Sequence, residues 1–374
     1  LHYPLRRQRQ MCIRDSNQEA LQNLKIDDTS ILDRLIDFES AREAHLKRDR
    51  SKRDKRMSLK EAVAEFVEDG DILCDGAFCY VRTSLQSFFE IMRQGKKNLQ
   101  AVGSPVTNHS YMASYGVCKY SHLSYIGAEM RGIDRIYNHH LKKKRINILS
   151  DWGHGSMALG FKAAQLGVPG IFSKQLLGSD IIKYNPYVKL TKNPMKNEDD
   201  PVVFIPALYP DIIFIHVHAA DKYGNSRFFG PSINDIAVAA ASRKVVITAE
   251  EIVPEMDIRY NNKGVSIPFF YVDAVVELPY GAAPGQMPGH YYWSRQWWEK
   301  MLRSCRDDES TKKFFDYWIM ESKDQFDFVE KLGGAKWISE ARRQTRAAEY
   351  DNEDDGVDFS YDEWTEKTTE ERFY

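Results

Sequence analysis

Short continuous apolar runs recur along this chain. Each is stopped by glycine or proline and joined to an amphipathic segment, and this rhythm limits what the chain can fold into. Ile72, Leu73 and Cys74 form the first run, too short for a helix and suited to a buried strand. Gly76-Ala77-Phe78 follows as a turn. Leu85, Phe88, Phe89 and Met92 then recur at helical spacing, and Gly95 ends that helix. Upstream, Ser58 and Glu61 have capping-box spacing, so a helix is expected there with Leu59, Ala62, Val63, Phe66 and Val67 on one face. Further apolar runs span Val202 to Ile205, Ile212 to Val217, Val245 to Thr248 and Val272 to Leu278. Ser156 to Leu166 and the alanine-rich stretch from Ser232 to Ser242 read as helices between them. The alternation specifies an α/β fold, a mainly parallel sheet with helices on both faces.

Composition narrows the class. The chain has 374 residues, enough for two or three domains or one large α/β unit with additions. At 43% hydrophobic it can bury a sizeable core. Lys+Arg 52 against Asp+Glu 54 leaves a net charge of −2, which removes any bulk electrostatic case for nucleic acid or anionic membrane. No apolar stretch approaches the roughly 18 residues of a membrane span, and the N-terminus shows no apolar signal core, so a soluble cytoplasmic protein is expected. The five cysteines, Cys12, Cys74, Cys79, Cys118 and Cys305, are scattered and odd in number. They suit free thiols in a reducing compartment rather than a disulfide framework.

Four segments are expected. Residues 1–16 lack helical or strand periodicity; their MCIRDS stretch resembles translated adapter sequence and is set aside from the fold. Residues 17–56 read as a charged, solvated helical extension ending in the run Lys47 to Arg56. The organised domain covers 57–346, and the acidic tail 347–374 reads as disordered.

Residues able to carry chemistry are few. His216 and His218 share one face of a strand and amount to half a metal site, but local spacing supplies no third ligand, so no metal is expected. His139-His140, before a basic run, reads as surface. Glu250-Glu251 after a buried strand suits acid–base work or a turn cap. No GxSxG, P-loop or GxGxxG pattern occurs. Asp75-Gly76-Ala77-Phe78 at a strand end is the most informative stretch. A turn there either aims backbone N–H groups at a developing oxyanion or simply links strand to helix. Gly103-Ser104 ends the next strand and would lie beside it, at the edge where open α/β sheets bind ligands.

From Met57 to about Ala341 the segments resemble the A subunits of class I CoA-transferases, of the glutaconate CoA-transferase type. The likeness rests on ordered blocks: Met57-Ser-Leu-Lys-Glu-Ala-Val, Asp69-Gly70-Asp71, Gly76-Ala77-Phe78, Arg82, Glu90 to Gly95, Leu166-Gly167-Val168-Pro169 and Leu177-Gly178-Ser179. Pro210-Asp211 to His216, Asp221 to Asn225, Thr248 to Ile252, Val272 to Val276, Tyr280 to Pro284 and Lys331 to Ala335 complete the series. The resemblance implies a hetero-oligomeric enzyme that moves CoA from an acyl-CoA to a small carboxylic acid by ping-pong chemistry. It implies no cofactor, coenzyme A entering as the substrate thioester. It also implies that the nucleophilic glutamate belongs to a B-type partner, so no catalytic nucleophile is expected here. Gly76, Ala77, Phe78, Arg82, Gly103 and Ser104 would then line the substrate or oxyanion pocket.

Two departures stand out. Ala77 replaces the second glycine of a Gly-Gly-Phe turn, which is tolerable at negative φ. Ser104-Pro105-Val106-Thr107-Asn108 replaces a glycine-rich run, and Pro105 removes a backbone donor. That puts dicarboxylate specificity in doubt, although Arg82 could pair with a substrate carboxylate or form a structural salt bridge. Two alternatives remain open. One is the A-type half of a ring-opening acyl-CoA hydrolase of the steroid-degradation type, in which His154 of Asp151-Trp-Gly-His-Gly155 would take the place of a catalytic glutamate and act as a base. The other is a non-catalytic binding or scaffold protein on the same fold.

Overall fold

The computed structural model describes residue 24 and residues 30–103, 108–127, 134–196, 199–260 and 264–349. Ser104, the segments 1–16 and 17–23, and the tail from residue 350 lie outside the described residues. The strands are β1 Ile72–Asp75, β2 Leu99–Gly103, β3 Cys118–Leu123, β4 Asn147–Asp151, β5 Gly170–Ser173, β6 Lys189–Lys192, β7 Pro201–Pro206, β8 Ile212–Ala220, β9 Ser226–Arg227, β10 Lys244–Ile252 and β11 Ala274–Glu277. The helices used below are α1 Phe38–Lys47, α2 Leu59–Phe66, α3 Leu85–Arg93, α4 Asn108–Ser114, α5 Arg135–Lys142, α6 His154–Leu166, α7 Asp235–Ala241, α8 Arg295–Ser304, α9 Asp308–Phe315, α10 Gln325–Leu332 and α11 Gly334–Glu349.

The main sheet runs β11-β10-β8-β1-β2-β3-β4 with all of these pairs parallel; short β9 adds antiparallel to β8. The chain enters in the middle at β1 and winds out to β4. It then returns to β8, on the other side of β1, and winds to β11. Right-handed crossovers in opposite directions place their helices on opposite faces. Accordingly α3 and α4 join α8, α9 and α10 in one core, with Phe88, Phe89, Tyr111, Trp297, Phe315 and Phe328. α6 and α7 fill a second core on the other face, with Met157, Phe161 and Val238. Strand residues alternate between the two: Ile212 and Phe214 of β8 enter the first, Ile213, Ile215 and Val217 the second. The reversal between β1 and β8 is the topological switch point at whose carboxyl ends open α/β sheets bind their ligands.

Local expectations hold in several places. α2 begins with the capping box: the Ser58 hydroxyl accepts from Glu61 N at 3.2 Å, and Ser58 N donates to the Glu61 carboxylate at 2.8 Å. Leu85, Phe88, Phe89 and Met92 are buried along α3. Gly167 closes α6 in the left-handed conformation at φ 69°.

Two expectations are corrected. The apolar run Val202 to Ile205 does form a strand, but β7 lies in a separate antiparallel sheet, β5-β7-β6, packed over the second core. The segment 30–56 is not a solvated extension. Leu32 and Leu35 are buried in the second core. Arg34 bridges the buried carboxylates of Asp71 at 3.0 Å and Asp211 at 2.8 Å. The Lys55 ammonium is capped by the carbonyls of Phe269 at 2.8 Å and Val272 at 2.6 Å. Arg56 pairs with Val275, so the segment runs alongside edge strand β11. Arg34, Arg48, Lys52 and Lys55 find carboxylate or carbonyl partners on the body, whereas Lys47, Arg53 and Arg56 pair with carboxylates of the segment itself. The four described cysteines, Cys74, Cys79, Cys118 and Cys305, are buried thiols outside any disulfide.

Candidate active site

The turn after β1 is backbone-strained. Ala77, Cys79 and Arg82 all adopt positive φ, at 69°, 53° and 61°. Left-handed backbone costs an L-residue roughly 1–2 kcal/mol, so three in six residues need firm external support. Arg82 N donates to Gln286 O at 2.8 Å, and Gln286 N donates to Tyr80 O at 2.7 Å. The Tyr80 ring stacks on Trp293 with centroids 4.7 Å apart. Asp235, buried at the start of α7, accepts from Ala77 N at 2.9 Å and from the Arg82 guanidinium at 3.1 Å. Gly76 lies against β8: a Cβ there would stand 3.2 Å from Phe214 O and from Ile215 Cγ1.

These contacts correct one expectation and decide between two pairs of alternatives. Ala77 occupies the conformation that glycine favours, not a negative φ. The turn's N–H groups do not point outward as free oxyanion donors. Gly76 N donates to Phe214 O at 3.3 Å, Ala77 N to Asp235, and Phe78 N to Val81 O at 3.2 Å. Of the two roles open to Arg82, the geometry is that of the buried salt bridge. Its side chain is 0% exposed, donates to Asp235, His216 O and Pro231 O, and lies 4.0 Å from the Phe228 ring centroid. Gly103 ends β2 beside this turn, since Cys74 pairs with Val102. His154 is apart from it. It opens α6 after β4, three strands from β1, about 14 Å at ordinary strand spacing. It is exposed and lies 3.2 Å from the Ser124 hydroxyl.

Next to the turn, β8 and β10 assemble a polar cluster. Parallel pairing sets Thr248 beside His216, and Glu250 follows two residues on along the same face. His216 Nδ1 lies 2.9 Å from Thr248 Oγ1, and its Nε2 lies 2.7 Å from Glu250 Oε1. The Tyr291 hydroxyl donates to the same carboxylate oxygen at 2.6 Å, and Tyr280 N donates to Oε2 at 2.9 Å. Burial works to raise the Glu250 carboxyl, but the bonds from His216, Tyr291 and Tyr280 N outweigh it and hold the group below its ordinary range. His216 O also accepts from Arg82 at 3.2 Å, so the cluster connects through Arg82 and Asp235 to the Gly76 turn. Burial pushes the His218 imidazole down to about 4; its Nε2 lies 2.7 Å from Pro288 O. His216 and His218 therefore serve separate hydrogen bonds. Among the described residues no group of three or more His, Cys, Asp or Glu side chains could hold a metal.

Glu250 and Tyr291 also line a cavity of about 480 Å³, bounded by Tyr280, His290, Glu251 and two arginines of α11, Arg342 and Arg346. The sequence flags Glu250 and His216 separately but not as a pair, because their register belongs to the sheet. Tyr291, Arg342 and Arg346 carry no sequence signal: they approach Glu250 only through the packing of distant turns and the last described helix.

The sequence matches the coenzyme A transferase family over residues 56–278, more than half of its length. The chain belongs to that family. It is 35% identical over 292 residues to an uncharacterised protein of Archaeoglobus fulgidus, a match covering 78% of this chain and 65% of the relative. The chain thus spans about two thirds of that relative. It is 28% identical to the A-type chain of 3-oxoadipate CoA-transferase from Pseudomonas knackmussii, covering 75% of this chain and 99% of the relative. It is 26% identical to the A-type chain of glutaconate CoA-transferase from Acidaminococcus fermentans, covering 76% of this chain and 94% of the relative. The crystal structure of the Acidaminococcus transferase superposes with a TM-score of 0.72 over 76% of this chain and 94% of that chain. The mostly parallel sheet flanked by helices is therefore the class I CoA-transferase fold. Among the described residues no helix is long and apolar enough to cross a membrane.

Proposed function

We propose that this chain is the A-type half of a heteromeric CoA-transferase, moving CoA from an acyl-CoA to a small carboxylic acid. The observation that carries this reading is the match over 94% and 99% of the lengths of two relatives that are themselves A-type chains. A glutamate of a B-type partner attacks the thioester carbonyl, and the CoA thiolate leaves an acyl–glutamyl anhydride. The thiolate then attacks the glutamyl carbonyl, releases the first carboxylate and forms a glutamyl-CoA thioester. An acceptor carboxylate reverses both steps. The carboxylate nucleophile keeps the thioester's bond energy through each exchange. No cofactor is needed, and the buried thiols outside disulfides suit a reducing cytoplasm.

The geometry of Glu250 supports a nucleophile supplied from outside. Its two oxygens already accept three hydrogen bonds, so attack would have to break contacts that hold the site together. Under this reading the Gly76-Ala77-Phe78 turn and Gly103 shape the thioester-facing wall, and Arg82 holds the turn from behind. Co-expression with an adjacent B-type gene tests the proposal. The pair is expected to transfer CoA and form a trappable enzyme–CoA adduct on the partner, while this chain alone turns over nothing. Transfer by the purified single chain would overturn it.

A further inference from the structure

The cavity beside Glu250 has two unlike walls. One is the end of β10 and the following turns, with Glu250, Glu251 and Tyr280. The other is α11, seated by Tyr292 N donating to Ala341 O at 2.9 Å and by Trp337 packed against Tyr280 and Tyr291, with ring centroids 6.4 and 6.0 Å apart. Arg342 and Arg346 lie one helical turn apart and line the cavity together. Neither pairs with a carboxylate among the described residues. Arg343 between them bonds Glu340 at 2.7 Å. Like charges at this spacing repel, and a shared anion between them removes the repulsion. Two guanidiniums facing one cavity also match the planar, two-oxygen edge of a carboxylate or the oxygens of a phosphate group.

We infer that Arg342 and Arg346 form an anion-binding subsite, taking a carboxylate or phosphate group whose remaining body extends across the cavity toward Glu250 and Glu251. Glu250 is already satisfied by His216, Tyr291 and Tyr280 N, so it adds a fixed polar wall. Glu251 is exposed on the cavity and opposes a second negative charge there. The subsite therefore favours a ligand with its anion at the α11 end and an uncharged or donor group at the β10 end. The inference concerns binding by the free chain and stands apart from the transfer reading.

The test is calorimetric titration of the full chain, without partner or thioester, using 4-hydroxybutyrate in one arm and adenosine 5′-monophosphate in the other, each with a single anionic group and a neutral, hydrogen-bonding far end. Binding of either is expected to weaken about tenfold or more in Arg342→Gln/Arg346→Gln. The arm that responds names the source, an acid substrate or a nucleotide phosphate. Arg343→Gln, on the same helix but paired with Glu340, is expected to bind as the parent does. Glu251→Gln is expected to tighten binding roughly twofold by removing a like charge. Unchanged affinity for both probes in the double variant, or an equal loss in Arg343→Gln, overturns the inference. A failed transfer assay would leave it untouched, because no turnover is measured.

Discussion

Ala77 shows how one side chain records a conflict between local preference and tertiary demand. Its φ of 69° is held by Asp235 accepting from its N–H and by the pinned segment that follows. Ala77→Gly relieves left-handed strain of roughly 1–2 kcal/mol but adds freedom to the unfolded chain of roughly 0.4–1 kcal/mol. The expected result is a net gain of about 0.5–1 kcal/mol, read as a higher urea midpoint; a lower midpoint would contradict the assigned conformation. Asp71 records another conflict. Burial, with Asp211 adding to it, lifts its carboxyl to about 6 against an ordinary 3.8, despite Glu68 N, Lys244 and Arg34. A carboxyl raised in the folded state contributes stability below its unfolded value and loses it as pH rises through the folded one. The stability advantage of the parent over Asp71→Asn is therefore expected to shrink between pH 4 and pH 7. An advantage that grows over that range in denaturant titrations would refute the shift.

At the scale of elements, the segment 30–56 is part of the folded body. Leu32 and Leu35 each contribute about 1.5–3 kcal/mol by burial. Arg34 joins Asp71 and Asp211, and removing it leaves two buried carboxylates without that cation. A chain starting at Met57 is expected to lose about 5 kcal/mol or more, visible as a steep fall in melting temperature or as insolubility. An unchanged melting temperature would show that these contacts carry no stability. The same contacts explain why the expected solvation fails: Lys47 to Arg56 is rich in charge, but Lys55 ends on two carbonyls and Arg48 donates to Ser242 O and Arg243 O.

Across the whole molecule, one sheet forms a wall of both cores. Ile212 and Phe214 face Trp297 and Phe315, while Ile213 and Ile215, their immediate neighbours, face Trp152 and Phe161. Loss of either core strips β8 of packing on one side and exposes the strand that supports the other. Unfolding is therefore expected as one cooperative transition, with tryptophan fluorescence and far-ultraviolet dichroism coincident. Two separated transitions would mean that the faces melt independently.

The apolar runs at β1, β8 and β10, the Ser58–Glu61 cap and the glycine stops were all readable in one dimension, because strand burial, helix capping and left-handed turns depend on residues close in the chain. Family-specific blocks in their order carried the fold class for the same reason. The polar site was not readable in this way. Glu250 meets His216 only through the β8–β10 register, and meets Tyr291 only because the turn after β11 folds back over the sheet edge. Whether Arg82 is a substrate ligand or a structural salt-bridge partner stayed open in the sequence; Asp235, more than a hundred residues away, decides it by closing over the guanidinium. Hydrogen-bond partners set by long-range packing decide which charges stay buried and which face a cavity, and no local pattern encodes that choice.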